Sequence, residues 1–169
     1  MTHPVLRLLK HRRYDERDVV RLLGTGALQR IAQRVAASET GHSGEIRVCV
    51  EAGLPWSYLR RHATARERAV GMFGKLRVWD TEHDNGVLIY LLLAEHAIEI
   101  VADRGLSRHV GATQWRSIAD TMSAAFAAGR FEEGLNQAVD AVDGLLRQHY
   151  PLAPGETNPN ELPDIPDVR

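Results

Sequence analysis

The stretch D-T-E-H-D-N-G-V-L-I-Y-L-L-L, residues 80–93, joins an acidic segment directly to an apolar one. The apolar part, residues 86–93, is short, follows an Asn-Gly opening and contains β-forming side chains, which predicts a buried strand. Asp80, Glu82 and Asp84 lie close together just before it. Carboxylates at the start of a buried strand must be hydrated, capped by backbone amides or bound to a cation. The stretch therefore predicts a central strand with a candidate functional site at its start.

Two other segments have the pattern of strands. Residues 45–51, E-I-R-V-C-V-E, alternate as a strand does, and residues 97–102, A-I-E-I-V-A, follow the central strand after a tight connection. Between the first and central strands, Thr64 and Glu67 form a capping box that opens a helix. A helical crossover makes these two strands parallel and right-handed, whereas the central and third strands should form an antiparallel hairpin.

Further helices complete an α/β fold. Apolar residues at helical spacing predict helices over residues 15–23, 25–39, 113–128 and 131–149, with Thr25 as the N-cap of the second. Helices that precede, connect and follow the strands can cover both faces of the sheet. The sequence therefore predicts a three-layer α/β/α sandwich with a short mixed sheet.

This topology predicts which acidic residues meet. If the turn between the central and third strands centres on residues 95–96, Gly86 lies opposite about Gly105. The loop that contains Asp84 then meets residues 103–107. Parallel pairing brings the start of the first strand to the same edge. The carboxylates expected at this edge are Asp80, Glu82, Asp84, Asp103 and Glu45.

Charge is distributed unevenly along the chain. Residues 1–40 carry eight Lys/Arg and four Asp/Glu, whereas residues 130–169 carry three and eight. We interpret residues 1–14 as a flexible basic N-terminus, either a solvated arm or a contact for an acidic surface, and residues 15–151 as one domain. Residues 152–169 are rich in Pro and acidic, which predicts disorder. The formal net charge of -1 over 169 residues argues against a chain-wide contact with nucleic acid.

The cellular compartment is predicted from the cysteine count and from the lack of signal-peptide and membrane-spanning patterns. Cys49 is the only cysteine, so no intrachain disulfide can form, and its place in a strand pattern favours a packed thiol over a nucleophile. The first residues lack the apolar region of a signal peptide, and no apolar run approaches the roughly 20 residues that span a bilayer. We therefore expect a soluble cytoplasmic protein without direct membrane insertion.

Several short motifs occur together across residues 38–151. They are S-G-E-I-R-V at 43–48, A-R-E-R-A at 65–69, F-G-K-L at 73–76, D-N-G-V-L-I-Y-L at 84–91, I-V-A-D-R-G-L at 100–106, Q-W-R-S-I at 114–118 and H-Y-P at 149–151. In this combination the chain resembles the TPM-domain family, named for a thylakoid-lumen phosphatase, a photosystem II repair protein and a nematode receptor modulator. The D-N-G-V-L motif with the later R-G-L is the most specific part. The chain looks like a short, soluble bacterial variant of that family.

The resemblance carries expectations about fold and function. It implies an α/β/α sandwich with an acidic site at the sheet edge that can bind divalent cations, calcium in some members. Acid-phosphatase activity is attributed to some members, and assembly or repair of membrane complexes to others. Asp84 matches the family's acidic position before Asn-Gly. Asp103 and Arg104 precede a Gly-Leu that many members have after Gly-Tyr, so Asp103 departs from the commonest pattern.

Two functions are weighed for the acidic residues. As an accessory module, the chain would bind calcium or another divalent cation, because the alternating carboxylates supply the oxygen ligands that calcium prefers. The metal ligands expected are Asp80, Glu82, Asp84 and Asp103. As a metal-dependent phosphomonoesterase, the alternative, it would use Asp84 and Asp103 as ligands, Arg104 as a phosphate clamp and His83 as a general acid or base. The sequence has no G-x-S-x-G, phosphate-binding loop or Cys/His dyad, so cation binding is the first hypothesis.

A partner-binding surface is also considered. Trp56 and Tyr58 follow the first strand, and Glu95 and His96 lie at the same end, where the carboxyl ends of parallel strands form ligand crevices. This end is opposite to the acidic loop. The partner expected is a protein, for example a membrane-anchored one, and not a nucleic acid.

Overall fold

The fold comes from a computed structural model that describes residues 4–169. One sheet has the strand order β3-β2-β1-β4. The strands are β1 (Glu45–Glu51), β2 (Gly86–Leu92), β3 (Ala97–Ala102) and β4 (Asp167–Val168). The helices are α1 (Pro4–Arg12), α2 (Glu16–Leu23), α3 (Ala27–Glu39), α4 (Trp56–Arg60), α5 (Ala65–Lys75), α6 (Arg104–Ser107), α7 (Ala112–Ala127) and α8 (Phe131–His149). β1 and β2 pair in parallel and β2 and β3 in antiparallel orientation, which confirms the mixed sheet.

Alternate residues of the central strands enter two separate cores. On one face, Val48 and Ile89 pack with α3, α7 and α8, and on the other, Cys49 and Tyr90 pack with α5. All residues of β1 and β2 are buried, as expected for strands covered on both faces. The α/β/α layering is thereby confirmed.

The crossover helix α5 begins as its capping motif predicts. The Thr64 hydroxyl accepts the Glu67 N–H at 3.1 Å, and the Glu67 carboxylate accepts the Thr64 N–H at 2.7 Å. The start of α3 differs from the prediction, because Gly26 and not Thr25 is the N-cap. Gly24 and Gly26 both have positive φ angles, so the chain turns through them and the helix begins at Ala27.

The hairpin between β2 and β3 corrects the expected register by two residues. The Gly86 carbonyl accepts the Asp103 N–H at 2.9 Å, so Gly86 lies opposite Asp103 and not Gly105. The connection is a 3₁₀ turn at Leu93–Glu95, followed by His96 in the left-handed conformation with φ 50°. This turn shifts the centre of the hairpin by one position. Because side chains alternate between the two faces of a strand, a register shift of two residues leaves every side chain on its expected face.

The carboxy-terminal segment, expected to be disordered, runs along β1. Asp167–Val168 pairs in parallel with β1, and the Ala52 N–H donates to the Arg169 carbonyl at 2.7 Å. Arg47 donates to the carbonyl oxygens of Pro163 and Ile165. Proline is compatible with an edge segment, because only one side of that segment needs to supply hydrogen bonds. Composition alone predicts disorder here, because it does not show that the carbonyl oxygens of this segment accept hydrogen bonds from the buried Arg47.

The basic N-terminus is helical where it is described. Residues 1–3 of the segment expected to be flexible lie outside the described residues, and residues 4–12 form α1. Buried His11 accepts the Leu54 N–H at Nδ1 at 3.0 Å, and its Nε2 lies 2.9 Å from Glu95 Oε1. Arg7 donates to the same carboxylate and to the Ala63 carbonyl, both at 2.7 Å. These contacts dock α1 at the carboxyl ends of β1 and β2.

Candidate functional site

The loop before β2 meets the segment after β3, as the sequence predicts. Asp84 has φ 51°, and its carbonyl accepts the Gly105 N–H at 2.9 Å. A Cβ on Gly105 would clash with the Asp84 carbonyl, lie 2.6 Å from the Tyr150 hydroxyl and lie 2.8 Å from the His83 carbonyl. Glycine is therefore required sterically at this position. Several oxygen atoms from separate parts of the chain surround it.

Asp103 lies at this meeting point, and one of its two carboxylate oxygens has no hydrogen-bond partner among the described residues. It is 8% exposed and caps α6, with Oδ1 accepting the Arg104 N–H at 2.7 Å. Its Oδ2 is buried and has no hydrogen-bond partner within residues 4–169. The pKa of Tyr150 is raised by burial and by the charges of Asp84 and Asp103, and is lowered by Arg108. These three groups, Asp84, Asp103 and Tyr150, form what we call the acidic edge.

The other candidate residues in the loop do not join one ligand set. Exposed Asp80 pairs with Arg77 at 2.5 Å, and the Glu82 N–H donates to the Glu161 carboxylate at 3.2 Å. In the described part of the chain, no three carboxylate, imidazole or thiol groups are grouped to hold a metal ion. Two of the four expected ligands, Asp84 and Asp103, come together around Tyr150. The candidate acid or base His83 and the candidate clamp Arg104 are both exposed.

Glu45 faces a second acidic cluster, which the sequence pattern does not predict. Its Oε2 accepts the Leu162 N–H at 3.0 Å, and its Oε1 is buried without a partner among the described residues. Nearby Glu39 is buried, and its Oε1 accepts the Ile46 N–H at 2.9 Å. Burial raises the pKa of Glu39 to about 9, with smaller contributions from the charges of Glu45 and Asp164. The only signal in the sequence is a glutamate at the end of one predicted helix and another at the start of the next strand.

The opposite end of the sheet, where a ligand crevice was expected, is covered by α1. Glu95 binds Arg7 and His11, and these contacts, led by the His11 hydrogen bond, lower its pKa to about 2. His96 packs edge-on against Phe131 at 5.6 Å between ring centroids. Trp56 remains 61% exposed. This end is therefore a docking site for the chain's own helix, with an exposed tryptophan beside it.

Tyr58 and Cys49 have packing roles on the α5 face. The Tyr58 ring lies under the guanidinium groups of Arg61 and Arg68, at 4.4 and 4.8 Å. Burial, the largest cause, raises the pKa of the Cys49 thiol, which disfavours the thiolate that a nucleophile needs. This agrees with the expectation of a packed thiol.

Comparisons with known proteins agree with this fold. The family described as TPM domain matches residues 17–145. A search of solved structures finds the NMR structure of the BA42 protein from the psychrophilic bacterium Bizionia argentinensis, with a TM-score of 0.72 and 24% identity. That match covers 85% of this chain and 93% of BA42, and at this identity it shows the fold alone. No match was found among curated proteins. None of the helices within residues 4–169 is long and apolar enough to cross a membrane.

Proposed function

Because the chain belongs to the TPM-domain family, we propose that it is an accessory module that binds a divalent cation, calcium by preference, at the acidic edge. The observation that carries this proposal is the buried Oδ2 of Asp103, which has no hydrogen-bond partner within the described residues. A charged oxygen shielded from water is costly unless a cation or a donor neutralises it. A bound cation would supply that charge.

The donor atoms at this edge suit a hard cation. Besides the carboxylates of Asp84 and Asp103, the Tyr150 hydroxyl and the carbonyl oxygens of residues 83 and 84 surround Gly105. Calcium takes six to eight oxygen ligands in flexible geometry and accepts backbone carbonyls and waters among them. Two carboxylates are few for a calcium site, so we expect weak binding completed by water. Asp80 and Glu82 would add negative potential to the surface around it.

A calcium titration followed by NMR tests the site. Amide shifts should concentrate at residues 80–86, at 103–105 and at Tyr150. Asp103→Asn and Asp84→Asn should each weaken binding at least tenfold, because each removes one of the two carboxylates. Asp80→Asn is the matched control, since it makes the same change of charge in the same loop but removes a carboxylate that pairs with Arg77. Shifts confined to Glu39, Glu45 and Asp164, or no shifts, would refute the proposal.

Metal-dependent phosphomonoesterase activity is the second candidate, favoured by one observation. Arg104 and Arg108 are exposed on and after the short helix that Asp103 caps, where guanidinium groups could hold a phosphate. Exposed His83 adjoins Asp84 and could transfer a proton. Turnover of a generic phosphomonoester that disappears in Asp84→Asn and Asp103→Asn would favour this activity. Turnover that persists in both variants would remove these residues as its catalytic pair.

As an accessory module, the domain would act through a partner. We propose a protein partner in the assembly or maintenance of a membrane-associated complex. Affinity capture of membrane-anchored proteins, with and without calcium, tests this: retention of the same protein only by the calcium-loaded wild type supports it. Identical capture by wild type and Asp103→Asn would separate partner binding from the cation.

A further inference from the structure

Helix α1 presents one face to the domain and the opposite face to solvent. Arg7 and His11, one turn apart, fix the inner face through Glu95. Leu6 and Leu9 lie on the outer side and are 61% and 59% exposed. The helix is therefore held in one orientation, with two large apolar side chains unpartnered by the domain.

Cations without partners accompany these leucines. Lys10, Arg12, Arg13 and Arg17 are exposed, and within the described residues no carboxylate forms an ion pair with any of them. Of the three nearby acids, Asp15 and Asp18 form the cap of α2 and Asp18 pairs with Arg21, while Glu16 is exposed in the first turn of α2. The positive charge of this region is thus concentrated on and just after α1, although the whole chain has a formal net charge of -1.

From this arrangement we propose that the outer face of α1 is a docking surface for an anionic lipid bilayer. Exposed leucines combined with a row of cations are the features by which a helix lies in the plane of a membrane interface. Lys10 and Arg13 also border a solvent-open groove of about 840 Å³ next to α1, which Leu6 and Leu9 line together with Asp15 and Asp18. An acidic amphipathic peptide fits less well, because a helical partner needs more apolar anchors than two leucines.

The exposed Trp56 near α1 also favours a lipid bilayer as the binding partner. Trp56 begins α4 two residues after Leu54, whose N–H is bound by His11 of α1. Its 61% exposed indole is thus on the same end of the sheet as α1. Tryptophan favours the level of the lipid headgroups, where one part of the ring is apolar and the N–H is hydrated. The docking surface consists of Leu6, Leu9, Lys10, Arg12, Arg13 and Trp56, and it is at the opposite end of the sheet from the acidic edge.

Sedimentation of the full chain with lipid vesicles tests the proposal independently of the cation site. Vesicles that contain phosphatidylglycerol should bind the protein at low salt, and vesicles of phosphatidylcholine alone should bind it at least tenfold more weakly. Binding should fall as the salt concentration rises, because the cation contacts are screened. Absence of binding to the anionic vesicles, or equal binding to both kinds, would overturn the proposal.

Paired variants locate the contact on the molecule. Leu6→Ser/Leu9→Ser and Lys10→Glu/Arg13→Glu should each reduce binding to anionic vesicles at least tenfold. Lys75→Glu/Arg116→Glu changes the net charge equally at exposed cations elsewhere, and Val70→Ser removes an exposed apolar group from α5. Both controls should stay within about twofold of wild type. Circular dichroism should show unchanged folding, because all the substituted residues are exposed. Unchanged binding by both α1 variants, or an equal loss in the charge control, would remove α1 as the docking surface.

Discussion

The buried carboxylates at the two ends of the sheet differ in how completely they are hydrogen-bonded. At the carboxyl end, where β1 and β2 finish, Arg68 donates to both carboxylate oxygens of Glu51 at 2.8 and 2.6 Å. The Tyr90 hydroxyl adds a third bond to Glu51 at 2.6 Å. At the amino end, where these strands begin, Glu45 and Asp103 each keep one buried oxygen without a partner among the described residues.

This difference in hydrogen bonding indicates different roles for the two ends of the sheet. A fully bonded charge has no remaining capacity to bind a ligand, and it holds elements together. A buried oxygen without a donor favours uptake of a proton or a cation, because either one neutralises it. The carboxyl end should therefore dominate stability, and the amino end should dominate the response to pH and to ions.

The largest effect is expected from Arg68→Met. This change leaves the Glu51 carboxylate buried with the Tyr90 hydroxyl as its remaining side-chain donor, and breaking a buried ion pair costs about 3–5 kcal/mol. Urea unfolding should show the loss as a lower midpoint. Arg116→Met, at an exposed position, is the control and should change the free energy of unfolding by less than about 0.5 kcal/mol. A similar small loss for Arg68→Met would mean that the pair does not stabilise the carboxyl end.

A smaller loss is expected from His11→Phe. The ring nitrogens of His11 bind the Leu54 N–H and Glu95, so the variant leaves a buried donor unpaired at a cost of about 1–3 kcal/mol. Amide hydrogen exchange should show faster exchange across α1 and at Leu54, while β2 remains protected. Lys10→Met on the outer face of the same helix should leave exchange unchanged. Uniform acceleration over the whole domain would show that α1 does not open separately from the sheet.

A third effect, of opposite sign, is expected from Glu39→Gln at alkaline pH. The pKa of Glu39 is raised to about 9 in the folded chain, so the folded state retains a proton that the unfolded state releases. Stability is therefore fullest below the ordinary glutamate pKa and declines as the pH rises towards 9. Glutamine keeps the acceptor for Ile46 without the titration, so the variant should gain stability relative to the wild type as the pH rises from 5 to 8.

Unfolding curves between pH 5 and pH 9 measure this third effect. The curve of free energy against pH should be flatter for Glu39→Gln than for wild type. Glu82→Gln, an exposed carboxyl from the same end of the sheet, should keep the wild-type slope. A variant slope equal to that of wild type would contradict a proton held on Glu39.

Much of the central fold was predictable because its signals are local. β1, β3 and α8 have the predicted boundaries, since alternation and helical spacing act over neighbouring residues. Among the site residues, the approach of Asp84 to the segment after Asp103 followed from the topology alone. The two-residue register shift did not, because a 3₁₀ turn at Leu93–Glu95 depends on how the hairpin packs.

The sequence by itself determined the three central strands, their mixed pairing and the approach of Asp84 to the segment after Asp103, because periodicity and strand order dictate them. Only the tertiary structure decided what happens to the two terminal segments. α1 is held by contacts between His11 and Glu95, and the tail by contacts between Arg47 and residues 163–165. The partners in these contacts are far apart in the chain, and each hydrogen bond satisfies a charged or polar group that only the folded domain buries. No local sequence pattern reveals these long-range contacts. Long-range contacts also decide which carboxylates stay unpaired.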